Sequence, residues 1–131
     1  MADFICPYEG SRRIGTAGIP TTITLDLSTK SIDSTNPFAE TSTYATRGAV
    51  TGTGYTQETY SGFTSTGGTF ATISGTWTTG AATDWPANVR SCVASDGVRM
   101  LWAWNLQSGG AARDMSAANT TEIVRGTVVL D

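Results

Sequence analysis

The segment 98–106, VRMLWAWNL, does most to restrict what this chain can fold into. Val98, Met100, Trp102, Trp104 and Leu106 alternate with Arg99, Leu101, Ala103 and Asn105, a period of two that belongs to an extended strand with side chains on two faces. Upstream, 89–94 is a second extended run, and Asp96-Gly97 between them supplies residue types that tolerate the positive φ of a two-residue hairpin turn. Pairing Ser95 with Val98 places Val93 opposite Met100, Ser91 opposite Trp102 and Val89 opposite Trp104. One face of the hairpin then collects the large apolar groups, so Val93, Met100, Trp102 and Trp104 are expected as core anchors. The other face carries Arg90, Cys92, Arg99, Leu101 and Ala103.

Other strands follow from the same reasoning. Ile23, Leu25 and Leu27 share one face of TTITLDL, 70–77 is extended, and TEIVRGTVVLD closes the chain with a further strand. Helical patterns are scarce: only 111–118 has room for a turn or two, and Gly109-Gly110 before it loosens that start, so it reads as a crossing loop. The stretch 28–48 is polar with Asn36-Pro37 as a turn signal, and TGTGYTQ and TSTGG punctuate the middle. With 131 residues there is room for one domain and one sizeable core. The expected fold is all-β: a single-domain antiparallel β-sandwich over 1–131, with a small barrel as the alternative and long Gly/Thr-rich loops. Residues 1–20, rich in glycine and without helical period, read as an extended amino-terminal docking segment.

The same residues remove several function classes. Histidine is absent, which eliminates Ser-His and Cys-His nucleophile pairs and the commonest transition-metal ligand. Asp84 beside Trp85 raises the idea of a glycosidase carboxylate pair, but no local motif marks a partner. GTGYT lacks the lysine of a phosphate loop, and DSTN at 33–36 lacks the glycine and distal glutamate of a calcium loop. No catalytic, cofactor-binding or metal-binding residue is therefore expected, and the chain is read as a non-enzyme. A net charge of -3 with scattered basic residues disfavours nucleic acid, and no apolar run suits a membrane span or a secretory signal. Cys6 and Cys92 form no CxxC motif and read as small apolar residues. The four tryptophans would serve a sugar- or base-stacking surface only if exposed.

The second half carries a family pattern. SGTWTTGAATDWPANVRSCVASDG followed by LWAWNLQSGGAARDMSAANTTEIVRGTVVLD resembles a family of small tailed-bacteriophage virion proteins. Gly54-Tyr55, Trp77, Asp84-Trp85-Pro86, the Asp96-Gly97 turn, Trp104-Asn105-Leu106 and the terminal 128–131 fit the pattern, which covers 52–131. The first 50 residues depart from it, because many such proteins begin with a short helix where PYEGSRRIGTAGIP shows no helical period. The resemblance implies a virion structural role with no active site: a capsid decoration or cement protein, assembled in the bacterial host cytoplasm, homo-oligomeric and bound to the major capsid protein or other virion proteins. Arg12 and Arg13 are then expected to dock onto an acidic shell. A tail, collar or fibre adaptor is the first alternative, and a carbohydrate-binding host-attachment module the second.

Overall fold

Strands form where β-branched and aromatic side chains alternate, and here they assemble into two antiparallel sheets. A computed structural model describes residues 4–32, 36–61 and 69–130. In chain order it runs through β1 (Phe4–Ile5), α1 (Tyr8–Ala17), β2 (Thr22–Ser28), a 3-10 turn at Tyr44–Thr46 and β3 (Glu58–Ser61). There follow β4 (Thr69–Thr78), β5 (Ser91–Ser95), β6 (Met100–Asn105), a second 3-10 turn at Ser108–Gly110 and β7 (Thr121–Leu130). The larger sheet has the order β1-β6-β5-β2-β3, and β4 pairs with β7 in a separate ribbon from Thr69↔Leu130 to Thr78↔Thr121. The strands expected around 23–27, 70–77 and the carboxyl-terminal segment are present, and 111–118 is a loop.

Ile23, Leu25, Leu27, Cys92, Ala94 and Trp102 of the larger sheet pack with Ile73 and Trp77 of β4 and Val124 of β7 in the main core. Val50, Trp85, Val89 and Met115 complete this core from the loops. Because adjacent strand residues face opposite ways, Val93 and Ala103 lie on the far face, where they join Met100 and Phe38 in a second small cluster. The larger sheet thus buries both faces, the second with a strongly polar content: Asp26, Ser28, Ser91, Ser95 and Asn105 are all buried.

The hairpin exists, but its expected register is corrected. Cys92 pairs with Trp104, Val93 with Ala103, Ala94 with Trp102 and Ser95 with Met100. Two local features cause the slip. The loop spans 96–99 rather than two residues, closed by Asp96 Oδ1, which accepts the amides of Val98 (2.9 Å) and Arg99 (2.6 Å). Leu101 is then left unopposed as a bulge where the pairing shifts between Ala94 and Ser95. An odd slip exchanges faces. Val93 and Met100 are fully buried but in the second cluster, not beside Trp102, which is buried in the main core. Trp104 is only half-buried, resting on Gly126, where a Cβ would lie 3.0 Å from its ring. Val98, expected to lead the inward row, is 73% exposed in the loop.

The extended reading of 1–20 is also corrected, because Tyr8–Ala17 is a helix. Pro7 precedes it in extended conformation, and Gly18, at a φ of 73°, closes it by donating its amide to Ile14 O at 2.9 Å. Tertiary contacts supply what the sequence lacks. Glu9 Oε1 accepts the amides of Met100 (2.7 Å) and Tyr44 (3.1 Å), and the Cys6 thiol donates to Leu101 O at 3.4 Å. β1 pairs with only Ala103 and Trp104 of β6, so Cys6 and α1 cover the earlier part of that strand edge. Cys6 and Cys92 are both free, and burial pushes the Cys92 thiol far up.

Asp96 joins the hairpin loop to α1 through an ion pair with Arg13 (Nε–Oδ2 3.0 Å). Its burial favours the neutral form, but the amides of Arg99 and Val98 and the Arg13 guanidinium outweigh that and hold the carboxyl below its usual range. A folded value below the unfolded one means that the contribution is full above the unfolded value and is lost as pH falls through the folded value. Asp96→Ala is expected to cost about 1–2 kcal/mol at neutral pH. Urea melts should show the gap between variant and parent narrowing once the pH drops below the ordinary carboxylate range.

Candidate functional site

Docking α1 against β6 leaves an open cleft of about 580 Å³ between the helix, the 41–43 segment and the 96–99 loop. Its walls carry three guanidinium groups, Arg12, Arg13 and Arg99. Successive helical residues point about 100° apart, so the two neighbours on α1 diverge. Arg13 turns to Asp96 and also donates from Nη1 to Gly18 O at 2.6 Å. Arg12 is exposed and makes no ion pair among the described residues. Arg99 enters from the hairpin loop, exposed at its side chain while its amide is fixed by Asp96. Tyr8 and the 41–43 segment complete the rim. The Tyr8 hydroxyl donates to Glu40 Oε2 at 2.6 Å, and that bond, with the nearby carboxylate charge, holds the phenol above its usual range.

The expected pair Arg12 and Arg13 therefore lies in one cleft but with different commitments. Arg99, absent from the sequence reading as a site residue, replaces Arg13 as the second cation there without an ion pair among the described residues. Its position directly after Asp96-Gly97-Val98 was the available signal, since turn-flanking basic residues face solvent.

A second cluster, buried and unforeseen, sits on β2 beyond its pairing with β3, which ends at Leu25↔Glu58. Tyr55 Oη accepts the Leu27 amide at 2.8 Å and donates to Asp26 Oδ1. Asp26 Oδ2 accepts Arg47 Nε at 2.7 Å and Gln57 Nε2 at 3.2 Å. The Arg47 guanidinium lies 3.7 Å above the Tyr44 ring and donates to Tyr44 O at 2.6 Å. Burial, then the Asp26 charge, drives the Tyr55 phenol far above its usual range, so it remains a proton donor. Every polar group here has a partner, and the cluster ties the 44–57 segment to the sheet.

Three of the four tryptophans face inward. Trp77, Trp85 and Trp102 are each 3% exposed, and the first two donate their indole N–H to Thr56 O and Thr53 O, both at 2.9 Å. Tyr55 meets Trp85 edge-on at 5.1 Å. Asp84, the candidate catalytic acid, instead clamps Thr53 through its amide (3.0 Å) and hydroxyl (2.7 Å), bonds that lower the carboxyl's pKa. The 33–35 part of the DSTN segment lies outside the described residues. Among the described residues, no group of three or more His, Cys, Asp or Glu side chains is placed to hold a metal ion, and no helix is long and apolar enough to cross a membrane. Comparison with family models, with curated proteins and with solved structures finds no match to this chain.

Proposed function

We propose that this chain is a bacteriophage virion structural protein, an auxiliary capsid protein that decorates or cements the head through protein–protein contacts rather than an enzyme. One observation carries the reading: a body whose buried aromatic and charged groups are satisfied internally, beside an open cleft where Arg12 and Arg99 have no ion-pair partner among the described residues. The two sheets act as the layers of a β-sandwich, with Gly/Thr-rich loops outside them. The resemblance over 52–131 supports the same role, and a helix at Tyr8–Ala17, ahead of the first long strand, is compatible with it. The partner is the major capsid protein or another virion protein, and the working form is a homo-oligomer in the virion, assembled in the host cytoplasm. With Trp77, Trp85 and Trp102 buried and Trp104 half-covered against Gly126, the carbohydrate-binding alternative has little support as a stacking platform.

Purified protein mixed with empty capsids tests this by co-sedimentation. The expected result is saturable association at many copies per head. A few copies per particle would favour the tail, collar or fibre adaptor, and no association with heads or tails would overturn a virion role.

A further inference from the structure

We infer that the cleft binds an acidic peptide segment of the partner protein, gripped by Arg12 and Arg99, with Tyr8 as its aromatic contact. This rests on the docking role proposed above and names the chemistry that role would use.

Arg13 is not part of the grip. Its Nε is held by Asp96 and its Nη1 by Gly18 O, so it braces the helix against the hairpin loop. Arg12 and Arg99 come from distant parts of the chain, yet their backbones are fixed relative to each other. Glu9 accepts the Met100 amide, one residue from Arg99, and Asp96 accepts the Arg99 amide itself. Two free guanidinium forks are thereby presented from a rigid frame, which removes part of the ordering cost of binding. Each fork matches a carboxylate with two parallel hydrogen bonds. Tyr8, 54% exposed on the same wall, belongs with arginine to the residue types that dominate protein interfaces.

Charge selects a peptide over a polyanion. The whole chain carries -3, and Glu9 lines the cleft while Glu40 lies on the Tyr8 hydroxyl. A nucleic acid, charged at every unit, would meet these carboxylates together with the cations. Acidic side chains spaced along a peptide can meet the two forks and let neutral backbone pass the glutamates.

The test is fluorescence anisotropy of the whole chain with a short labelled peptide alternating Glu and Gly. Saturable binding that weakens with added salt is expected. The double variant Arg12→Glu with Arg99→Glu should weaken it at least about tenfold, with an unchanged melting curve because neither side chain has a partner among the described residues to lose. Equal binding by the variant, or no saturable binding by the parent, would overturn the assignment. So would displacement of the peptide by an equal concentration of inorganic phosphate, or tighter binding of a labelled single-stranded oligonucleotide. The same variant is then sedimented with empty capsids. Unaltered association would overturn the role of the cleft and leave the virion reading standing, whereas no association by parent or variant would overturn the virion reading itself.

Discussion

Asp26→Ala is expected to lower the unfolding free energy by about 3–5 kcal/mol, the loss typical of removing one partner from a buried ion pair. The Asp26 side chain is 2% exposed and that of its partner Arg47 16%, so the guanidinium left behind has little water to turn to. Tyr55 and Gln57 lose their acceptor in the same step. The pair itself contributes far less than its breakage costs, because desolvation offsets most of the attraction. The double variant Asp26→Leu with Arg47→Leu should therefore recover a large part of the loss. Urea denaturation of the parent, single and double variants decides it. A single-variant loss under about 1 kcal/mol would mean that the carboxylate does not hold the 44–57 segment.

Gly10→Ala should destabilise the fold by about 3 kcal/mol, the upper part of the range for overpacking. A Cβ at this position would lie 1.9 Å from Leu101 O, and a backbone oxygen in a paired strand cannot rotate aside as a side chain does. The gain in helix propensity, about 1 kcal/mol, is smaller than that clash. The helix must lift, releasing the Met100 amide from Glu9, so hydrogen exchange at Met100 should accelerate along with the fall in melting temperature. Gly15→Ala is the control on the same helix. Nothing lies within 4 Å of its added methyl, and a gain of about 0.5–1 kcal/mol is expected.

Strands were legible in the sequence because their alternation is a local property, as at Ile23, Leu25 and Leu27. The relation between neighbouring strands was not. One bulged residue, Leu101, and two extra loop residues reversed the partners of Val93 and Met100, and no single-strand pattern records such an insertion. Period two also misled at β6, because both faces of the larger sheet are covered and Leu101 is as buried as Trp102. The helix was hidden for a different reason. YEGSRRIGTA contains two glycines and one partly buried apolar side chain, Ile14, and its order comes from Glu9 and Gly10 meeting a strand ninety residues away in the chain. Of the cleft, Arg12 could be read directly, while Arg99 needed the hairpin loop in space. The Asp26 cluster draws on residues 26, 44, 47, 55 and 57, each unremarkable alone.

The ribbon that covers the larger sheet pairs β4 with β7, the last strand of the described chain. As the chain leaves the ribosome, Ile73 and Trp77 emerge well before Val124, which they need for a partner ribbon. The larger sheet can assemble around β2, β5 and β6 during that interval, but its apolar face stays uncovered. Because β7 is the last strand to emerge, this face is covered last, and until then the nascent chain shows the kind of greasy surface that chaperones recognise.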